Sequence, residues 1–241
     1  MENDAKKKSI LITAGHTEVP IDQVRSLILH IDDPDLKDAV TNIFKGTTGA
    51  KIASAFTEIG WETTLITSNT EPIEHVSHFF NNLKVRSYRT IDDLRNLMEE
   101  ELTTNHFDVV VHSSAVSDFY VGGVFVRKPD NTIEEIDSTG KVSSKHKELF
   151  LQLLPTPKLV DFIREPWGFR GKLVKFKLEM KKTDEELLNI AAKSMHDSGA
   201  DLIVANCLEW SSIYAYVIEG DQKPVRVSRD ELPNELIRRL I

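Results

Sequence analysis

The sequence predicts an α/β fold, a Rossmann-like doubly wound and mostly parallel sheet with helices on both faces, on three observations. Short β-branched runs alternate with segments of helical periodicity along the chain. Several of those runs are apolar at nearly every position, as strands covered on both faces must be. The alternation opens with a strand, a helix and a second strand, the unit from which doubly wound sheets are built, so ligands are expected at the strands' carboxyl ends.

Ser9 to Thr13 is the first β-branched run, and Trp61 to Thr67, entered through Gly60, is the second. Between Gly49 and Ile59 the residues Ile52, Ala53, Phe56 and Ile59 recur at helical spacing. Lys84 to Tyr88 reads as a strand, Ile91 to Leu102 as a helix, and Phe107 to His112 as a strand too apolar to face water. Gly171 to Leu178 and Ala200 to Ala205 supply two more central strands. The helix between them carries Leu187, Ile190, Ala191 and Met195, and Thr183 with Glu186 forms a capping box at its start. Ser212 to Val217 and Pro224 to Val227 flank Glu219-Gly220-Asp221, a hairpin signal, and should be antiparallel edge strands; Glu231 to Leu240 closes the chain as a helix. Val124 to Ile136 reads as a further hairpin around Pro129-Asp130-Asn131, a flap extension of the main sheet.

The 241 residues, 40% of them hydrophobic, suit one domain spanning 1–241 with a core large enough to need no staples. The lone Cys207 makes no intramolecular disulfide, and the first eight residues are polar, with no secretory pattern, which points to the cytoplasm. No run approaches the ~20 apolar residues of a membrane span. A net charge of -8 argues against nucleic acid or an anionic membrane as partner, so a polyphosphate ligand has to be met by a local site.

That site is sought in the segment between the first strand and its helix. Roughly thirty residues separate Thr13 from the helix near Gly49, long for such a connection. Gly15 stands at one end, and Lys45-Gly46-Thr47-Thr48-Gly49 at the other. Glycines let backbone N–H groups approach a phosphate, and a helix N-terminus adds partial positive charge, although Gly-Thr-Thr-Gly is as readily a tight turn. The dinucleotide fingerprint and the Walker A loop are both absent. His75 and His78 lack the second pair that a metal site requires, so no residue is assigned to a metal.

Read together, the segments resemble the phosphopantothenoylcysteine synthetase family. Thr13-Ala-Gly-His-Thr-Glu-Val-Pro-Ile-Asp-Gln-Val-Arg25 is similar to the family's opening motif, and Thr41-Asn42 through Gly49 to its Ser-Asn-x-Ser-Ser-Gly-x-x-Gly segment. Ser113-Ser-Ala-Val-Ser-Asp118-Phe-Tyr, Lys141-Val-Ser-Ser, Pro157-Lys-Leu-Val, Phe176-Lys-Leu-Glu179 and Asp201-Leu-Ile-Val-Ala-Asn206 follow in family order. The resemblance implies a ligase that condenses 4'-phosphopantothenate with cysteine through an acyl-nucleotide, using CTP or ATP and Mg2+, in coenzyme A biosynthesis. The flavin-dependent decarboxylase segment that many members carry upstream is missing, so FMN is not expected. A homodimer is expected, with residues 119–145 as the flap exchanged between protomers.

The resemblance also implies site residues, each with a plainer alternative. Asn42 would donate to the acyl oxygen, or is a helix-interior or capping asparagine; Lys141 would pair with nucleotide phosphates, or is a solvated turn residue. Gly15, Gly46, Gly49 and Ala115 would lie against the nucleotide, and Asp118 would contact it or its metal unless it is a cap. Pro157, Lys158, Leu159 and Val160 would line the site through backbone groups, and Phe176 would pack on the base, unless these are core or helix start. Lys193 matches a phosphate-binding lysine, or sits on an exposed helix face.

Four features depart from the family. Residues 26–40 form an insertion of fifteen, and Asp33-Pro34 followed by Leu36, Ala39, Val40 and Ile43 reads as a capped amphipathic helix. His16 replaces a glycine, Lys175 a small residue, and Asp197 stands where some members carry a second lysine. These leave a noncatalytic nucleotide-binding or regulatory homologue as the alternative.

Overall fold

The computed structural model describes residues 7–27 and 45–241. The helix read around Asp33 to Ile43, most of the 26–40 insertion, and Asn42 therefore lie outside the described residues. In chain order the elements are β1 (Ser9–Ala14), β2 (Val19–Pro20), β3 (Ser26–Leu27), α1 (Thr47–Glu58), β4 (Glu62–Thr67), α2 (Glu74–Ser77), β5 (Leu83–Ser87), α3 (Ile91–Thr104) and β6 (Val109–His112). They continue with β7 (Phe119–Arg127), β8 (Ile133–Ile136), β9 (Leu149–Pro155), α4 (Leu159–Arg164), β10 (Lys172–Glu179), α5 (Asp184–Ser198), β11 (Leu202–Cys207), β12 (Tyr214–Glu219), β13 (Val225–Ser228) and α6 (Leu232–Leu240).

The main sheet has eight strands in the order β5-β4-β1-β6-β10-β11-β12-β13. From β5 to β11 every pairing is parallel, and β12 and β13 add antiparallel edges. The chain winds outward from β1 through α1 to β4 and β5, then crosses back through α3 to β6 on the other side of β1. The order therefore reverses between β1 and β6, and the crevice for a ligand opens above that switch point. The doubly wound α/β reading of the sequence is borne out, and so are its antiparallel edges.

Strand side chains alternate between two layers of core. Ile10, Ile12 and Ala14 of β1, with Val174, Leu202 and Val204, pack under α1 and α6. Leu11, Ile66, Val110 and Leu173 pack on the other face under α3 and α4, and Ile203 and Ala205 pack under α5. Most of these side chains are fully buried, each contributing on the order of 1.5–3 kcal/mol relative to exposure. Local signals agree with the packing: the Thr183 hydroxyl accepts from Glu186 N–H while the Glu186 carboxylate accepts from Thr183 N–H, the capping box expected for α5. No described helix is long and apolar enough to cross a membrane.

Two readings change in detail. β12 begins at Tyr214 rather than Ser212, because Leu208–Trp210 form a 3-10 turn that holds Ser211 N–H and its hydroxyl on the Leu208 carbonyl. The flap is three-stranded rather than a hairpin alone, in the order β8-β7-β9, since β9 pairs along β7 from Phe119 to Val126. The expected turn joins β7 to β8, with Asn131 at a positive φ of 66°.

Candidate functional site

The carboxyl ends of β1 and β6 make the floor of the crevice. Beyond β1, Gly15 and His16 extend the parallel pairing toward Ala115: Ala115 N–H donates to the Gly15 carbonyl at 2.8 Å, and Thr17 N–H donates to the Ala115 carbonyl at 3.2 Å. Two of the sequence-predicted residues, Gly15 and Ala115, are thus hydrogen-bonded neighbours. Gly46 and Gly49 join them from the start of α1. A Cβ on Gly46 would lie 3.0 Å from the Gly15 nitrogen, and one on Gly49 only 2.5 Å from the Ala14 Cβ and 3.0 Å from Ser113 Oγ. Gly46 also has a φ of +77°, a backbone conformation that favours glycine. These glycines seat the first turn of α1 on the sheet's edge, and its N-cap residue, Gly46, supplies no side-chain cap.

One wall of the crevice is a chain of partnered polar groups. The buried Tyr88 hydroxyl donates to the Ala14 carbonyl at 2.8 Å and lies 3.1 Å from Ser114 Oγ; burial pushes its pKa up to about 12. Ser114 N–H donates to Thr13 Oγ1 at 3.3 Å, and the Thr13 hydroxyl lies within hydrogen-bond distance of His112 Nδ1, 2.9 Å away. Burial, with the charge of Lys175 as the second cause, lowers the His112 pKa to about 4, so the imidazole is neutral. Lys175, in register with His112 across β10 and β6, is half-buried and donates to the carbonyl and hydroxyl of Ser194 on α5. Burial lowers its pKa as well.

The opposite wall lies under α1 and α6. Phe176 packs against that layer of the core from β10. Leu178, two residues on, is in register with Asn206, which places Asn206 on the same face near the end of β11, 6% exposed. Arg229, in the turn between β13 and α6, reaches the first turn of α1, where its Nη2 donates to Thr48 Oγ1. Sequence reasoning gave Asn206 only as the end of a motif and did not single out Arg229. A buried asparagine at a strand end was the available signal for the first; the second had none.

Outward from β6, the Asp118 carbonyl accepts Thr156 N–H at 2.8 Å, and its carboxylate side is exposed. A cleft of about 420 Å³ opens here between α3, β7 and the segment before α4, where Ser117, Phe119, Pro157 and Leu159 meet. Pro157 and Lys158 are exposed, whereas Leu159 and Val160 begin α4 with buried side chains, so only their backbone groups are offered to a ligand.

Lys141 is exposed, on the loop between β8 and β9, and its neighbour Val142 is clamped from the β1 side. The buried Asp22 carboxylate accepts Val142 N–H at 3.0 Å, Arg25 N–H and Val24 N–H at 2.8 Å, and the Arg25 guanidinium at 2.5 and 3.0 Å. Arg25 in turn donates to the Val142 carbonyl. The guanidinium first, and then the backbone donors, hold the Asp22 carboxyl well below the usual carboxylate range. Asp22 and Arg25 lie in the first family-like motif and were not assigned a role from sequence.

Lys193 is exposed on α5. The buried stripe of that helix is Leu187, Ala191, Met195 and Ser198, and helical geometry sets Lys193 on the side opposite to it, facing away from the sheet. Cys207 is buried, its thiol 2.8 Å from the Glu209 carboxylate, with its pKa raised by burial and then by that carboxylate. Among the described residues no group of three or more His, Cys, Asp or Glu could hold a metal ion.

The family pattern of the DNA/pantothenate metabolism flavoprotein C-terminal domain matches residues 5–235. The chain belongs to that family. The resemblance read from the ordered motifs is thereby borne out at the level of the family. The coenzyme A biosynthesis bifunctional protein CoaBC of Thermococcus kodakarensis is 33% identical over 204 residues, covering 84% of this chain and 42% of that protein. The chain spans about two fifths of the length of this curated relative. A crystal structure of the DNA/pantothenate metabolism flavoprotein from Streptococcus pneumoniae superposes with a TM-score of 0.76 at 28% identity, covering 97% of this chain and 98% of the other. A Cab2 variant in complex with phosphopantothenate-cysteine shares the fold, with a TM-score of 0.66 at 16% identity over 97% of this chain and 86% of that one.

Proposed function

We propose that this domain is a phosphopantothenate-cysteine ligase of coenzyme A biosynthesis, acting in the cytoplasm. A carboxylate is a poor electrophile. In the first step a carboxylate oxygen of 4'-phosphopantothenate attacks the α-phosphorus of CTP or ATP, and pyrophosphate leaves. In the second, the cysteine amine attacks the acyl carbon, the nucleoside monophosphate leaves, and the amine gives up a proton. The work of the protein is to hold two anions together and to stabilise the developing charge by fixed donors.

The observation that carries this reading is the convergence of Gly15, Gly46, Gly49 and Ala115 above the switch point of a chain in this family. The crevice lies where open α/β sheets bind nucleotides, beside the first turn of α1, whose N-cap glycine supplies no side-chain cap. Phe176 and Asn206 lie on the α1 side of the sheet toward its carboxyl edge, the base is assigned to Phe176, and the backbone of Pro157 to Val160 is assigned to the far side. Lys141, presented by the Asp22 clamp, is assigned to the phosphates, and Asn42 to the acyl oxygen. The described residues form no metal cage; Mg2+, when bound with the nucleotide, would supply charge neutralisation to its phosphates.

The homodimer belongs to the same proposal. The flap exposes Phe119, Tyr120, Ile133, Leu149 and Leu153, apolar surface of the kind a second protomer would cover. The test is pyrophosphate release from the folded protein with Mg2+, 4'-phosphopantothenate and cysteine, comparing CTP with ATP and omitting each component in turn. Release that requires phosphopantothenate supports the ligase and names its nucleotide. Nucleotide binding with no release under any condition overturns it in favour of a noncatalytic homologue.

A further inference from the structure

We draw no further inference here: the strongest candidate, the cleft of about 420 Å³ between α3, β7 and the segment before α4, is lined largely by apolar side chains such as the exposed Phe119 and Tyr120, and nothing in the structure shows what covers it.

Discussion

The two walls of the crevice are built from similar polar residues and end in opposite states. On the β6 side, Tyr88, Ser114, Thr13 and His112 form a connected chain, and Lys175 beyond them is held by Ser194. On the α1 side, Gly46 supplies no side-chain cap to the helix start and the Nη1 of Arg229 is buried without a hydrogen-bond partner. A completed network fixes geometry and asks nothing of a ligand; an incomplete one with net positive charge is stabilised by an anion. The difference assigns the first wall to holding the Ser113-Ser114-Ala115 loop in place and the second to binding.

The largest expected effect comes from breaking the outward continuation of the completed wall. Asp22 accepts five hydrogen bonds from Val24, Arg25 and Val142, joining the segment after β1 to the loop that carries Lys141. Asp22→Ala leaves those donors and the Arg25 charge unpaired and is expected to lower the melting temperature by roughly 10 °C. The sign with pH follows from a folded pKa held below the unfolded value. The stabilisation is present above about pH 4 and is lost as pH falls further, so Asp22→Ala should flatten that acid limb of a melting-temperature profile. A variant that melts as wild type does would show that the clamp is not what fixes this loop.

Gly49 tests the seating of the binding wall. In an ordinary helix Gly→Ala stabilises by about 1 kcal/mol. Here the new Cβ would stand 2.5 Å from the Ala14 Cβ, so Gly49→Ala is expected to destabilise by about 2 kcal/mol in urea titration and to weaken nucleotide binding by lifting the first turn of α1. Stabilisation instead would mean that α1 is free to shift and that the crevice is less fixed than its glycines imply.

His112 sharpens the contrast at a smaller cost. His112→Gln removes the partner of the Thr13 hydroxyl and is expected to cost about 1 kcal/mol at pH 7. With a folded pKa of about 4, the wild-type histidine takes up its proton more readily unfolded, at about 6.5. Its contribution is therefore complete above that value and is lost as pH falls from 6.5 toward 4, a window above that of Asp22. The variant should lose the slope in this upper window and keep the one below pH 4. An unchanged profile between 4 and 6.5 would mean that the imidazole is not held neutral by the completed wall.

What the sequence made legible follows the same division. Val109 to Val111 and Leu202 to Ala205 are buried on both faces, and continuous apolar runs announce such strands. The capping box at Thr183 and the turn at Gly220 are local chemistry and read directly. β9 was not legible, because the exposed and half-buried residues of Leu149–Pro155 alternate irregularly and the strand is defined by its ladder with β7. Neither was the Asp22 bond to Val142, which joins residues 120 positions apart. Arg229 is one arginine among many until the β13–α6 turn carries it to α1, and only burial distinguishes it. The glycines lie between the two cases: their clustering was visible, but their packing against Ala14 and Ser113 was not.

The smallest effect is expected at the other cation that the sequence suggested for phosphate. Lys193 and Arg229 carry the same charge, yet Lys193 points away from the sheet on the solvent side of α5, while Arg229 is half-buried against the first turn of α1. A charge on a long, hydrated side chain is screened within about 8 Å at physiological salt, so Lys193→Ala should alter stability by less than about 0.5 kcal/mol and nucleotide affinity by less than about threefold. Titrating Lys193→Ala and Arg229→Gln with the same nucleotide, at two salt concentrations, sets the two cations against each other. If the Lys193 variant loses tenfold or more and the Arg229 variant does not, the phosphates lie toward α5. The completed wall would then be the one that binds, and a half-buried guanidinium with one unpartnered nitrogen would have been a poor guide to where the anion sits.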